Sequence, residues 1–352
     1  MQVLLLSRYD RLGASSRLRF FQFLPYLSSH GLQMTVAPFF DDDYVSSLYH
    51  GKVSIFCILR SYWSRFKWLL RAKQFDLIWI EKEMLPWLPS WIELGLFPSK
   101  VAMVVDFDDA IFHQYDQHRL SLVRLLLGKK IASIMRRAEL VIAGNDYLAE
   151  YAKQAGAKRV ECLPTVVDVS RYTTSPNASS LPVTIGWIGS PNTARYLKLL
   201  TPVLRHLTAT NKVRVVAVGA KVEQLCDLPI ESREWSEDGE VFEIQQFDIG
   251  IMPLPDEPFE RGKCGYKLIQ YMACVKPVVA SPVGVNKVIV QDGINGFFAS
   301  SVEDWERCLT LLCTDAELRL RLGSAGRSGV EAHYSLQVAA PRLEQLLRQA
   351  LK

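Results

Sequence analysis

The sequence predicts an α/β protein of two doubly wound domains, each a parallel sheet covered by helices on both faces. Three observations carry this: apolar runs without alternation, a strand–helix rhythm that stops and starts again, and a polar break between the two series. Strands buried on both faces read as continuous Val, Ile and Leu, unlike the alternating strands of half-exposed sheets. At 352 residues the chain is long enough for two cores.

The first series opens with the apolar run Val3 to Ser7, followed by helical periodicity from Ser16 to Ser29 that stops at Gly31. Met34 to Ala37, Leu77 to Glu81, Val101 to Val105 and Leu140 to Ala143 read as further buried strands. The stretch Thr173 to Ser180 is polar, rich in turn formers and without a core residue, so it reads as a linker. The second series then begins with a strand from Val183 to Trp187, a turn at Gly189-Ser190-Pro191-Asn192 and a helix from Thr193 to Leu207. Val213 to Val218, Ile249 to Met252, Val278 to Ala280 and Gly296 to Phe298 read as its remaining strands, with helices at Gly265 to Met272 and Val302 to Leu312. The expected division is a first domain at 1–172, a linker at 173–182, a second domain at 183–334 and a closing helix in 335–352 that packs back on the first domain.

Composition narrows the class of function. A formal charge of +4 is too modest to point to nucleic acid. Seven cysteines, an odd number without paired spacing, suit free thiols in a reducing compartment. Cys308 and Cys313 lack the His or Cys neighbours of a zinc site. Met1 to Leu6 meets Arg8, Asp10 and Arg11 at once, which reads as a first core strand rather than a secretory signal. No run reaches the roughly 18–20 apolar residues that spanning a bilayer requires. The expected location is cytoplasmic, with peripheral contact at the inner face of the membrane left open.

That contact is suggested by Arg60 to Lys73, a basic amphipathic helix candidate. Tyr62, Trp63, Phe66, Leu69 and Leu70 fall on one side, and Arg60, Lys67 and Arg71 opposite. Such a helix can lie in an anionic membrane interface or simply cover a sheet. A second helix, expected from Arg119 to Arg137, adds Arg124, Lys129, Lys130, Arg136 and Arg137.

The most informative segment is Asp248 to Gly284. It reads as a buried strand, a polar loop, a helix from about Gly265 and another buried strand. A Gly- and Lys-rich loop opening onto a helix N-terminus binds anions, because its N–H groups are unpaired and the helix dipole is positive there. Arg261, Lys263 and Lys267 add full charge, enough for a diphosphate, and a helix beginning early would put Lys263 and Lys267 one turn apart. Gly189 and Ser190 form a second turn able to present N–H groups to phosphate. After the first strand, Gly13 and its small neighbours permit close approach, with Arg17 and Arg19 nearby; the paired glycines of a dinucleotide fingerprint are missing. Asp106-Phe107-Asp108 has the form of a cation-chelating pair, but Asp108 or Asp109 can equally accept a hydrogen bond from a substrate hydroxyl, or cap the strand end. No spacing singles out His113 or His118.

The chain resembles the retaining group 1 glycosyltransferases, known as family 4. The residues that carry the likeness are Met252-Pro253-Leu254, Gln270-Tyr271-Met272-Ala273 and Lys276 to Gly284. Asp106 to Ala110, Ala143 to Leu148, Leu163 to Asp168 and Ile185 to Pro191 fall in the same order. The resemblance implies a GT-B fold, two Rossmann-like domains facing across a cleft, with no cofactor and no metal beyond the nucleotide-diphosphate-sugar donor. It places donor contacts at Gly189, Ser190, Arg261, Lys263, Lys267 and Gln270, and acceptor-side contacts at Gly13, Arg17, Arg19 and Asp109. The chemistry would fall to Lys267, Asp108 and Glu260.

The acceptor it implies is a saccharide or lipid-linked glycan. The sequence departs from the family where Gln270 stands for the second Glu of a Glu–seven residues–Glu pair and Gly262 for the first. Glu260 or Asp256 could replace the missing carboxylate. A sugar-nucleotide epimerase, or an inactive subunit that binds the nucleotide-sugar, is the alternative.

Overall fold

The computed structural model describes residues 1–49, 54–173, 181–209 and 212–351. Most of the expected linker, residues 174–180, lies outside this set. The chain divides into two compact units: Met1–Val166 with Arg261–Cys264 and Leu336–Lys352, and Val167–Glu260 with Gly265–Ser335.

The first unit is a six-stranded sheet of β1 (Gln2–Leu6), β2 (Gln33–Val36), β3 (Leu77–Glu81), β4 (Ala102–Phe107), β5 (Leu140–Ala143) and β6 (Val160–Cys162). Their order is β2-β1-β3-β4-β5-β6, and neighbouring strands run parallel. All five residues of β3 are buried, as the unbroken apolar run required. One face of the sheet packs Val3, Leu5, Trp79 and Val104 against Phe20, Phe23 and the C-terminal helix Leu336–Gln349, which adds Leu343, Leu346 and Leu347. Each such side chain is worth roughly 1.5–3 kcal/mol when removed from water.

The second unit holds β7 (Val183–Ile188), β8 (Val213–Val218), β9 (Glu231–Arg233), β10 (Ile249–Met252), β11 (Val278–Ala280) and β12 (Gly296–Phe298). The parallel order β12-β11-β10-β7-β8-β9 reverses direction between β7 and β10, since the chain runs from β7 to β8 toward one edge and from β10 to β11 toward the other. Such a switch point opens a crevice at the carboxyl ends of the strands. In the first unit the corresponding point lies between β1 and β3.

Three of the expected helices are interrupted, each for a local reason. The Ser16 to Ser29 run is a helix Ala14–Arg19, a 3-10 turn and a helix Leu24–Ser29, with Pro25 in the first turn of the second. Pro202 likewise starts a separate helix Thr201–Thr208 within the expected Thr193 to Leu207. The Arg119 to Arg137 helix is two, Ser121–Leu127 and Lys130–Arg137, separated at Gly128, where a Cβ would come 2.3 Å from the Arg124 carbonyl oxygen.

The basic amphipathic helix runs Ile55–Arg71, started by Ser54, whose hydroxyl accepts the Phe56 N–H. It buries Ser61, Arg65 and Leu69, so Trp63 and Leu70 face solvent beside Arg60, Lys67 and Arg71 rather than opposite them. Arg65 sits on the buried face because it donates to the Ser7 carbonyl at 2.7 Å. Burial lowers its pKa to about 9 despite Glu81 and Glu93.

Candidate functional site

In the second unit the strand-end loops form a cradle. β7 leads into Gly189 and Ser190, and Ser190 directly precedes the short helix Pro191–Ala194. A Cβ on Gly189 would lie 2.6 Å from Lys267 Cε and 2.7 Å from Trp187 Cζ2, so the glycine lets the lysine and the Trp187 ring approach the turn this closely. The Lys267 ammonium stands 5.4 Å from the centroid of the Trp187 ring. Gly219, with φ +84°, ends β8 beside it; a Cβ there would come 2.3 Å from the Gly189 carbonyl oxygen. A glycine turn at a parallel-strand switch point, a lysine laid over it and a helix N-terminus suit an anion.

Lys267 stands in the first turn of the helix Tyr266–Ala273. Gly265 caps that helix at φ +64°, where a Cβ would strike the Ile289 side chain. This left-handed residue ends the possibility of an earlier helix, so Lys263 is not one helical turn from Lys267 on a shared face. Arg261 and Lys263 belong instead to the first unit. There Asn145 Nδ2 donates to the Gly262 and Lys263 carbonyls at 2.9 and 3.1 Å, and Cys264 Sγ donates to the Asp108 carbonyl at 3.0 Å. A Cβ on Gly144 would sit 2.3 Å from Cys264 Sγ, which explains the Ala143-Gly144-Asn145 sequence.

Gln270 is buried, and its amide nitrogen donates to the Tyr172 hydroxyl at 3.3 Å. That hydroxyl donates in turn to Glu240 at 3.0 Å, which also accepts from Trp235 Nε1 at 3.0 Å. Glu260 is 2% exposed. One of its oxygens accepts from Tyr196 Oη and lies 3.7 Å from Arg195, while Oε2 is buried without a hydrogen-bond partner. An orphaned buried carboxylate oxygen asks for a donor. Asp256, the other candidate for this role, is exposed.

The first unit carries a charged cluster at its own switch point. Lys82 follows β3 directly, with φ +64° in the left-handed region that a lysine rarely adopts. Its ammonium lies 2.8 Å from Asp108 Oδ1, 2.9 Å from Asp109 Oδ2 and 3.3 Å from Ser15 Oγ. Ser15 also donates to Asp108 Oδ2. Burial opposes ionisation of Asp108, but the Lys82 charge and the hydrogen bonds from Lys82 and Ser15 outweigh it and hold the carboxyl below its usual range. Burial likewise works against the Lys82 ammonium, and Asp108, Asp109 and Glu81 overturn it, raising that pKa. Asp108 is therefore a fixed anion, and it and the neighbouring Asp109 both present carboxyl oxygens able to accept from a hydroxyl.

The other members of the Gly13 loop point inward. Arg19 pairs with Asp106 at 2.8 Å and donates to the Leu163 carbonyl at 2.8 Å, with 2% exposure. Arg17 is buried and donates to the Arg11 carbonyl at 3.1 Å. Asp106, pushed up to about 6 by burial against the pull of Arg19, and Asp108 thus face different cations. Among the described residues no group of three His, Cys, Asp or Glu could hold a metal ion. His113 is fixed between Asp116 and Tyr147, at 3.0 and 2.8 Å, and the His118 ring meets the Trp87 ring at 5.8 Å.

Lys82 escaped the sequence reading. The signal was the run Glu81-Lys82-Glu83 directly behind an apolar strand, charge placed where a parallel sheet opens. Lys82→Met is expected to cost on the order of 2 kcal/mol or more by stripping two carboxylates of their cation. Asp108, held low in the folded state, contributes stability that is full above its ordinary pKa and lost as pH falls through the lowered one. The variant's stability, followed by urea unfolding, is therefore expected to lose that acid-side dependence.

Two six-stranded parallel sheets of this kind with flanking helices define a GT-B glycosyltransferase fold. The chain is similar to Anabaena HepE solved in complex with UDP, at TM-score 0.76 and 17% identity over 99% of this chain and 100% of that one. Sucrose-phosphate synthase from Thermosynechococcus elongatus matches at TM-score 0.75 and 15% identity, over 99% and 98%. WaaG, a glycosyltransferase involved in lipopolysaccharide biosynthesis, matches at TM-score 0.72 and 13% identity, over 99% of each chain. No curated protein matches the sequence. Residues 182–315, most of which lie in the second unit, match the family described as glycosyl transferases group 1.

Proposed function

We propose that the protein is a retaining, metal-independent glycosyltransferase that moves a hexosyl or related sugar from a nucleotide-diphosphate-sugar to a saccharide or lipid-linked acceptor. The observation that carries this reading is the Gly189–Lys267 cradle at the switch point of the second sheet, within the residues that match the group 1 glycosyltransferase family. Lys267 and the helix N-terminus stabilise the departing diphosphate by fixed charge and dipoles, which matter most where charge develops. Glu260 Oε2 awaits a hydroxyl of the donor, and Asp108 and Asp109 accept from the acceptor hydroxyl. HepE has been solved with UDP and with UDP-glucose, which makes uridine nucleotides the first donors to try. The product belongs to a surface glycan assembled in the cytoplasm, with the enzyme in peripheral contact with the inner face of the membrane.

The test is the thermal stability of the protein with UDP-, GDP-, dTDP- and ADP-linked sugars, with and without a chelator. A ligand bound to the folded state raises the melting temperature by mass action. One nucleotide class is expected to stabilise, equally with chelator present. No shift with any donor would overturn the reading, and a shift abolished by chelator would overturn its metal-free part. Products from the stabilising donor alone separate transfer from epimerisation.

A further inference from the structure

The first unit displays large apolar side chains that its core does not use. On the helix Ile55–Arg71, Phe56, Leu59 and Trp63 are 70%, 60% and 61% exposed. On the helix Ser121–Leu127, Leu122, Leu125 and Leu126 are 64%, 80% and 56% exposed. The loop between β3 and the next helix connects the two: Tyr62 Oη donates to the Pro86 carbonyl, and the adjoining Trp87 ring packs on His118 just before the second helix. Isolated surface leucines need no explanation, but six large apolar groups on two linked helices do.

The charge carried by the two helical segments themselves is of one sign. Residues 54–75 contain no Asp or Glu, nor do residues 117–138. Arg60, Lys67 and Arg71 alternate with the apolar side chains of the first helix, and Arg119, Arg124 and Lys129 frame the second; all six are exposed. Arg60 meets one carboxylate from elsewhere, Asp41. A protein partner would see an ordinary apolar patch. A bilayer with anionic headgroups matches both properties at once, since leucines enter the acyl boundary while arginines and lysines stay among phosphates. No helix among the described residues is long and apolar enough to cross a membrane, so the mode is docking from one side.

We propose that these two helices form a docking surface for an anionic lipid bilayer, with Leu122, Leu125 and Leu126 as the inserting wedge. This rests on the membrane contact of the proposed function and is independent of its transfer chemistry, so donor binding and vesicle binding can fail separately. The experiment is co-sedimentation of the full chain with vesicles of phosphatidylglycerol and phosphatidylcholine, against phosphatidylcholine alone, at low and high salt. The chain is expected to sediment with the anionic vesicles, with part of the binding surviving high salt because insertion is not screened. Leu122→Ser with Leu125→Ser is expected to weaken that binding at least about tenfold with no loss of melting temperature, since both side chains are exposed.

Absence of sedimentation, equal binding to neutral vesicles, or full binding by the double variant would each overturn the proposal. Light scattering in solution supplies the remaining outcome. A dimer that the double variant splits would show that a second copy covers these leucines, and that would also overturn it.

Discussion

Lys267→Ala is expected to lower turnover of the donor about a hundredfold to a thousandfold while leaving the fold in place, the loss found when one preorganised group is removed from a developing anion. The size follows from position. The lysine is only half-buried, so deleting it opens no sealed cavity, and its ammonium lies over Trp187 beside the Gly189 turn, where a diphosphate oxygen would be held. A cation there gains most as charge moves onto the leaving group, so kcat falls more than donor affinity does. Lys267→Arg keeps the charge but must fit a larger head into the close space beside residue 189, which has no Cβ, so partial activity is expected. Steady-state kinetics with the stabilising donor, alongside a melting curve of each variant, checks both. Unchanged turnover in the alanine variant would remove Lys267 from the chemistry, and a collapsed melting temperature would make it a packing residue.

The backbone plan was legible because burial on both faces leaves a strong mark. Ten of the twelve strands fall on runs the sequence singled out. The two that do not, Val160–Cys162 and Glu231–Arg233, are three-residue edge strands whose residues are mostly half-exposed, so no apolar run betrays them. The Gly-rich loops were legible for the same local reason: glycines at 189 and 265 are required by close approach and by a positive φ. What could not be read was which charges are spent inside.

Arg17 and Arg19 look like solvent cations beside a cleft loop, yet both are buried. Lys130, read with Lys129 as part of a basic surface, is 1% exposed. Helical periodicity assigns a face only when the helix bounds are right, and Gly128 resets the phase between Leu127 and Lys130. Lys82 lay in a charged run behind β3, but its partners could not be read from the sequence, because its left-handed backbone conformation aims it at Asp108 and Asp109.

The buried Lys130 sets up the largest stability effect in the first unit. Lys130 Nζ lies 2.8 Å from Glu83, 3.1 Å from Glu93 and 2.5 Å from the Leu85 carbonyl. Glu83 also accepts from Tyr115 at 2.9 Å and from Arg8 at 3.1 Å, and Glu93 from the Met84 and Leu85 N–H groups at 2.8 and 3.0 Å. Lys130→Met keeps the length of the side chain and removes the charge, leaving two carboxylates inside the protein with one fewer cation. Breaking such a group from one side costs about 3–5 kcal/mol, far more than a surface pair.

The pH dependence identifies the cause. Burial pushes Glu93 up to about 7 even with Lys130 beside it, above its usual 4.5. The folded state therefore binds more protons than the unfolded one between those values, and the stability this group supplies falls as pH rises through that window. Without the ammonium the folded pKa climbs further. The deficit of Lys130→Met is then smallest near about pH 5, where Glu93 is protonated at little cost, and grows as the solution is made alkaline. Adding Glu93→Gln removes one of the stranded carboxylates and is expected to recover part of the loss, most of it above neutrality. Denaturant unfolding of the single and double variants on either side of neutrality decides the matter. A deficit independent of pH, or a double variant no more stable than Lys130→Met, would mean that packing around the lysine stem, and not its charge, holds this part of the unit together.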